Sequence, residues 1–133
     1  MPYLNIRIAS EESPEQTEKT VELLMAHTGR LLGKKADVTA IEVSYVSPKN
    51  WFVGGVRVSE LQGTTFYLDI KITEGSNTKS EKSAYVHEVF KEMESILGPI
   101  SLASYIVIHD IRGDSWGYQG DTQEFRFIRA KVL

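Results

Sequence analysis

The residue types that most enzymes use for chemistry are sparse in this chain of 133 residues, and Pro2 is the candidate that remains. The chain has no cysteine, which excludes thiolate catalysis, disulfides and sulfur-ligated zinc. The three histidines, His27, His87 and His109, lack the spacing of metal ligands, so the sequence predicts no metal site. Motifs for a phosphate-binding loop or a nucleophilic serine are also missing, and no cofactor is expected.

Pro2 would carry a basic nitrogen once Met1 is removed, as normally happens in a cell to a chain that starts Met-Pro. α-Amino groups titrate near pH 8, and partial burial or a nearby cation lowers that value. A group that titrates near working pH can act as a general base or acid. Because a proline occurs at position 2 in about one protein in twenty by composition, the surrounding elements decide the interpretation.

The chain contains an internal repeat, and the repeat predicts where Pro2 lies. Residues 3–8 are echoed by residues 67–72 at a shift of 64, and both segments alternate apolar and polar residues as strands do. A polar loop with a helix-start signal follows each strand, at residues 13–16 and 78–81. Pro2 is therefore expected directly before the first strand of the first unit.

Each unit continues with an amphipathic helix and a second strand. The two helices repeat one apolar face at a shift of 65, and Gly33 and Gly98 close them. Second strands are predicted near residues 41–46 and 106–111, where β-branched residues are frequent. A strand, a crossover helix and a second strand are parallel and connected with right-handed chirality.

Two such units, about 2–58 and 65–123, predict an α+β fold with a four-stranded mixed sheet and two helices on one face. We expect a single domain over residues 1–133. The C-terminal run, residues 124–133, alternates strongly and is predicted to be a strand. That strand would pair with the sheet edge of a neighbouring subunit or form a hairpin within its own subunit.

The second face of this sheet has no helix to cover it. We expect that face to be apolar, and an apolar face of this size needs a partner. The sequence therefore predicts self-association.

Charge and hydropathy exclude several partners. The net charge is −3, with acidic and basic residues interspersed, so no basic face for nucleic acid is expected. No stretch approaches the roughly 20 apolar residues of a membrane span, and no secretory signal is visible. By elimination the sequence predicts a cytoplasmic protein that binds neither nucleic acid nor membrane.

Together these features resemble the tautomerase superfamily. The resemblance is carried by the two β-α-β units, by Met1-Pro2 leading into the first strand, and by Pro48, Trp51, Gly54 and Gly55 in a Pro-x-x-Trp-x-x-Gly-Gly ending. The superfamily includes 4-oxalocrotonate tautomerase and macrophage migration inhibitory factor. Membership would imply the MIF-like fold, a homotrimer, removal of the initiator methionine and catalysis by Pro2 as general base.

The resemblance also suggests residues that bind substrate. Lys34 follows Gly33 as in the helix-end Gly-Lys of macrophage migration inhibitory factor, whose lysine reaches the proline pocket. Tyr105 matches a pocket tyrosine that the adjacent subunit contributes, and Trp51 is similar to an aromatic wall of the pocket. The alternatives are a solvated lysine at a helix C-terminus and aromatic residues that only pack.

Two arginines that bind a dicarboxylate in 4-oxalocrotonate tautomerase are missing here. The matching positions are Glu12 and Ala40, while residues 73–75 lack the arginines of malonate semialdehyde decarboxylase. Arg112 and Arg126 are candidate replacements. Because a charge-assisted contact contributes about 1.5 to 3 kcal/mol, we expect a monocarboxylate substrate.

Three functions are compatible with the sequence. The first is a cofactor-independent keto-enol tautomerase of a small 2-oxo or 2-hydroxyalkenoate, with Pro2 as base and Lys34 on the carboxylate. The second is a hydratase, dehalogenase or decarboxylase, in which a protonated proline acts beside a water-activating carboxylate such as Asp37 or Asp114. The third is a trimeric binding protein without catalysis.

Overall fold

The fold places Pro2 at the start of a central strand. The structure is a computed structural model and describes residues 2–132; Met1 and Leu133 lie outside the described residues. In chain order its helices and strands are β1 (Tyr3–Ile8), α1 (Pro14–Leu32), β2 (Ala40–Tyr45), β3 (Phe52–Val53), β4 (Val56–Arg57), β5 (Phe66–Thr73), α2 (Lys79–Leu97), β6 (Tyr105–Ile111), β7 (Gly117–Tyr118), β8 (Asp121–Thr122) and α3 (Gln123–Val132).

Four strands form one mixed sheet in the order β2-β1-β5-β6. β2 is parallel to β1 and β6 is parallel to β5, while β1 and β5 run antiparallel, which confirms the predicted α+β architecture. Tyr3 lies opposite Ala40 on one side and Lys71 on the other. The first residues of β1 and β2 therefore lie beside the last residues of β5 and β6. We call this end of the four strands the proline edge.

The predicted helix-start signals are present in the structure. Ser13 caps α1 by accepting a hydrogen bond from the Gln16 backbone N–H at 3.2 Å. At α2, Thr78 and Glu81 form a reciprocal capping box. A cap of this kind contributes about 0.5–2 kcal/mol to stability. Gly33 ends α1 in the left-handed conformation with φ 66°, which a residue with a side chain rarely adopts.

The core lies between α1, α2 and one face of the sheet. Alternate residues of β1 and β5 are fully buried there: Leu4, Ile6, Ile8, Phe66, Leu68, Ile70 and Ile72. Leu24 of α1 and Val89 and Met93 of α2 complete this layer. The two helices thus hold the central strands from one side, as the repeat predicts.

A buried hydrogen bond between Thr28 and Tyr85 joins the two helices inside this layer. Their hydroxyl oxygens are 2.9 Å apart, and burial raises the pKa of Tyr85 to about 12. Replacing Tyr85 with Phe would leave the Thr28 hydroxyl buried without this partner. We expect Tyr85→Phe to lower the free energy of unfolding by about 1–3 kcal/mol in a urea titration.

Tyr67→Phe is the matched control, because Tyr67 is only half-buried and lies on the other face of the sheet. Its free energy of unfolding should stay within about 0.5 kcal/mol of the wild type. Equal stability of the Tyr85 variant and the wild type would show that the hydroxyl pair does not join the helices.

The second face of the sheet is polar, and the expectation of an apolar face is wrong. The side chains on this face come from alternate strand positions: Tyr3, Asn5, Arg7, Ala40, Glu42, Ser44, Tyr67, Asp69, Lys71, Thr73, Tyr105, Val107, His109 and Ile111. An Asp69 carboxylate oxygen lies 2.8 Å from His109 Nε2 and 3.5 Å from Lys71 Nζ. Most apolar strand residues lie on the face that the helices cover. The second face therefore does not need an apolar partner to shield it from water.

The C-terminal segment is also different from the prediction. Residues 124–133 were expected to form a strand, but the structure has a helix, α3 (Gln123–Val132), and the predicted strand is wrong. The hairpin of β7 and β8 precedes this helix, and the Thr122 hydroxyl accepts a hydrogen bond from the Phe125 backbone N–H at 3.0 Å. This side-chain cap favours a helical start over continued extension.

The described residues include no helix that is both long and apolar enough to span a membrane.

Candidate active site

Pro2 is buried at the proline edge, immediately before β1. Its carbonyl oxygen accepts a hydrogen bond from the Ala40 backbone N–H at 3.3 Å, which extends the pairing of β1 and β2 by one residue. The main chain around Pro2 is therefore fixed to the sheet. The predicted removal of Met1 concerns a residue outside the described part of the chain.

Lys34 lies at the same edge, just after the left-handed Gly33 that ends α1. Its side chain is half-buried, and Nζ donates a hydrogen bond to the Ser76 hydroxyl at 2.8 Å. Burial lowers the pKa of Lys34, and this effect is partly offset by the negative charges of Glu81 and Asp110. A partly desolvated ammonium group of this kind attracts a ligand carboxylate more strongly than a fully solvated one.

α3 brings Arg126 to the proline edge. The guanidinium carbon lies 3.9 Å from the centre of the Tyr118 ring, and Nη2 donates to the Tyr118 carbonyl at 2.9 Å. A longer ion pair of 3.9 Å links the same side chain to Asp121. These contacts orient Arg126 before any ligand binds.

Two adjoining cavities open at this edge, with volumes of about 470 Å³ and about 320 Å³. Both are lined by Lys34, Gln123 and Phe127. Thr73 lines the larger cavity and Arg126 the smaller. Pro2 is not among the lining residues that the described part of the chain provides.

Three buried polar atoms around these cavities have no hydrogen-bond partner among residues 2–132. They are Thr73 Oγ1, Gln123 Nε2 and Arg126 Nε. Buried polar groups in proteins are nearly always paired, so unpaired ones that gather at a cavity indicate that a ligand or water supplies the partner. The proline edge therefore combines a cation, unpaired polar groups and space for a small molecule.

A larger concavity of about 760 Å³ lies elsewhere, along α2 and the edge strand β6. Val86, Phe90 and Ile108 form its apolar part, with charged residues around them. None of its lining residues has a buried unpaired polar atom in the described part of the chain. Chemistry at a small polar substrate is better supported at the proline edge.

Solved structures establish the fold, although no family model and no curated protein matches the chain. A fused 4-OT symmetric trimer matches with a TM-score of 0.80 at 15% sequence identity, covering 92% of this chain and 96% of that chain. A protein inactivated by 2-oxo-3-pentynoate matches with a TM-score of 0.81 at 13% identity, covering 93% of this chain and 98% of that chain. A macrophage migration inhibitory factor-like protein from Entamoeba histolytica matches with a TM-score of 0.70 at 20% identity, covering 91% of this chain and 97% of that chain. This chain shares the fold of fused 4-OT and of the macrophage migration inhibitory factor-like protein.

Within one chain, Trp51 and Tyr105 lie far from Pro2. Trp51 lies in the segment that joins the last residue of β2, Tyr45, to the first residue of β5, and Tyr105 is the first residue of β6. Both therefore lie towards the end of the sheet opposite the proline edge. Six strand residues span about 20 Å, which separates them from Pro2 in the same chain. Tyr105 is 59% exposed. Neither residue lines the two cavities at the proline edge of its own chain.

Arg112 is at the proline edge but already has a partner. Its Nε and Nη2 donate to the two carboxylate oxygens of Asp114 at 3.2 and 2.9 Å. This pairing lowers the pKa of Asp114 and raises the pKa of Arg112, and both side chains are largely exposed. Binding of a substrate by Arg112, or activation of water by Asp114, would require this pair to open.

The structure adds site residues that sequence reasoning missed. Ser76 positions Lys34, Gln123 and Phe127 line both cavities, and Glu74 and Glu124 line the larger one. The cavity residues of α3 belong to the C-terminal segment that the sequence analysis interpreted as a strand. Recognising it as a helix would have placed one face of residues 123–127 at the proline edge.

Proposed function

We propose that this chain is a cofactor-independent keto-enol tautomerase of a small 2-oxo or 2-hydroxyalkenoate, with Pro2 as general base. The observation that carries the proposal is the placement of a buried Pro2 at the same sheet edge as the half-buried Lys34 and the two cavities. The fold alone does not assign an activity. The proposal rests on the chemistry of this edge.

The proposed reaction needs one proton carrier and one anion site. After Met1 is removed, the Pro2 nitrogen takes a proton from the carbon beside the ketone, and the electron pair of that bond forms the C=C bond of the enol. The ketone oxygen then receives a proton, and the reverse sequence gives the ketone. A positioned base of this kind contributes about 10²–10⁴-fold to the rate. Lys34 would hold the carboxylate and fix the substrate beside the nitrogen.

A homotrimer would complete each site. The support is twofold: similar solved structures include trimers of fused 4-OT, and Trp51 and Tyr105 lie at the opposite end of the sheet from Pro2. In a ring of three chains, the far end of one sheet can meet the proline edge of the next. Each trimer would hold three sites, because the position matching Pro2 in the second unit is the internal residue Phe66.

We expect a monocarboxylate substrate. The positions of the missing arginines are exposed residues without positive charge, Glu12 and Ala40. Three cations line the cavities. Arg126 is bound to Tyr118 and Asp121, and Lys35 is exposed, so the half-buried Lys34 is the cation that we propose meets a carboxylate. The compound 2-oxo-3-pentynoate, which inactivated a protein of similar fold, has the 2-oxo monocarboxylate group that we propose for the substrate.

A hydratase, dehalogenase or decarboxylase is the second candidate. Glu74 and Glu124 line the larger cavity, so carboxylates that could activate water lie close to Lys34. In that reaction Pro2 would act while protonated. The kcat/KM for water addition to an acetylenic or unsaturated acid would then exceed the kcat/KM for tautomerisation.

The activity test uses untagged protein whose N-terminal mass shows that Met1 is absent. We expect tautomerisation of phenylpyruvate, a 2-oxo monocarboxylate, at a higher kcat/KM than that of 2-hydroxymuconate, a dicarboxylate. Protein that retains Met1 is the matched control, because its Pro2 nitrogen is an amide and should support no reaction. A preference for the dicarboxylate would contradict the substrate class, and equal rates with and without Met1 would contradict the mechanism.

A further inference from the structure

A second group of chemically competent side chains lies between α1 and α2, away from the proline edge. His27 of α1 and Glu88 and Glu92 of α2 place one ligand atom each so that all three lie within 4.8 Å of one another. Glu88 and Glu92 are four residues apart and therefore share one face of α2. Because the three residues come from two helices, their spacing along the chain is not that of a metal-binding motif.

His27 is prepared to act as a ligand through Nε2. The side chain is only 8% exposed, and Nδ1 lies 3.1 Å from the Leu23 carbonyl oxygen. A carbonyl only accepts hydrogen bonds, so Nδ1 carries the proton and Nε2 has a free lone pair. Metal-bound histidines commonly use the second ring nitrogen in this way.

The Nε2 atom has no hydrogen-bond partner among the described residues, although it is buried. An unpaired buried nitrogen is costly, and so is a pair of carboxylates close to each other without a cation. A divalent ion would remove both costs. It would accept the Nε2 lone pair and neutralise Glu88 and Glu92.

The spacing is compatible with a metal ion. Zinc binds histidine nitrogen and carboxylate oxygen at about 2.0–2.2 Å, so two ligand atoms of one ion lie no more than about 4.4 Å apart. Small rotations of the glutamate side chains close the remaining difference. An imidazole combined with carboxylates suits zinc and similar divalent ions, whereas magnesium and calcium prefer oxygen ligands alone.

We propose that His27, Glu88 and Glu92 bind a divalent transition metal ion, represented by Zn²⁺, which links α1 to α2. The ion would act beside the Thr28–Tyr85 hydrogen bond. Gly33 and Lys34 directly follow α1, so an ion that holds α1 in place would also hold Lys34 at the proline edge. The proposal does not depend on the activity assigned to Pro2.

The test measures Zn²⁺ binding to the full chain after treatment with a chelator and dialysis. Titration calorimetry should give about one Zn²⁺ per chain, and saturating Zn²⁺ should raise the unfolding temperature by about 5 °C or more. Glu88→Gln and Glu92→Gln should each weaken binding at least tenfold, because each removes one charged ligand. Both variants keep the shape of the side chain.

His87→Gln is the matched control, since His87 is an exposed histidine adjacent to Glu88. Its Zn²⁺ binding should equal that of the wild type. His27→Gln should abolish binding; if that variant does not fold, the two glutamate variants decide the matter. Wild-type affinity in both glutamate variants, loss of binding in the His87 variant, or no binding by the wild type at 1 mM Zn²⁺ (roughly the weak limit of a specific site) would overturn the proposal.

Discussion

Pro2→Ala should reduce kcat/KM for phenylpyruvate by about 10²-fold or more, because a positioned base contributes about 10²–10⁴-fold. Alanine keeps an amine at the chain start but loses the ring that holds the nitrogen rigidly against β1. The unfolding temperature of the variant should change little, since the hydrogen bond that fixes Pro2 to the sheet uses its backbone carbonyl oxygen, which accepts from the Ala40 N–H. Progress curves with untagged proteins of confirmed N-terminal mass give the comparison.

Pro14→Ala is the control for the loss of a proline. Pro14 lies in the first turn of α1, at the opposite end of that helix from Lys34. The kcat/KM of this variant should stay within about twofold of the wild type, because Pro14 lines neither cavity at the proline edge. Equal rates for the wild type and Pro2→Ala would remove Pro2 from the mechanism.

Lys34→Met should lower kcat/KM for a carboxylate substrate by about 10- to 100-fold, mainly through a higher KM. The estimate follows from a charge-assisted contact of about 1.5–3 kcal/mol. Methionine keeps the apolar stem and removes the charge. Because burial lowers the pKa of Lys34, the wild-type KM should also rise with pH before the usual lysine value of 10.5 is reached. The pH dependence of KM should vanish in the variant.

Lys19→Met and Lys35→Met are the matched variants. Lys19 lies on the exposed face of α1 and pairs with Glu15 at 3.1 Å, so its loss should leave KM unchanged. Lys35 is exposed and lines the smaller cavity. If Lys35→Met raises KM and Lys34→Met does not, the substrate carboxylate is bound by the neighbouring lysine.

The sequence predicted the repeated elements well because their signals are local. Capping residues such as Ser13 and Thr78 act within four residues of chain, and the alternation of β1 and β5 separates a core face from an outer face. Gly33 marks the end of α1 through its left-handed φ of 66°. These local signals agree with one another, so a four-stranded sheet with two covering helices followed directly.

The C-terminal helix could not be distinguished from a strand by its pattern. Phe125 and Phe127 alternate with charged residues as in a strand, but Phe125 and Ile128 are three residues apart, as on one side of a helix. A run of only ten residues is compatible with both the two-residue period of a strand and the 3.6-residue period of a helix. The cap by Thr122 and the preceding hairpin decide the outcome, and the hairpin depends on pairing that the pattern does not reveal.

The candidate site was only partly predictable because it depends on long-range contacts. The Gly33-Lys34 pair located Lys34, but the hydrogen bond to Ser76 joins residues 42 positions apart. The group of His27, Glu88 and Glu92 likewise forms only when two helices pack together. Whether Trp51 and Tyr105 reach a neighbouring Pro2 is a question about the assembly, which the pattern of one chain does not determine.

The most direct test of the central claim is covalent labelling with 2-oxo-3-pentynoate. Untagged protein of confirmed N-terminal mass is incubated with the reagent and digested, and the label is located by mass spectrometry. The free amine of Pro2 should add across the triple bond, so we predict one adduct per chain on the peptide that begins at Pro2, with matching loss of activity. Protein that retains Met1 should stay unlabelled there. Labelling of Lys34 instead, or no labelling of a free Pro2, would contradict a reactive proline at this edge of the sheet.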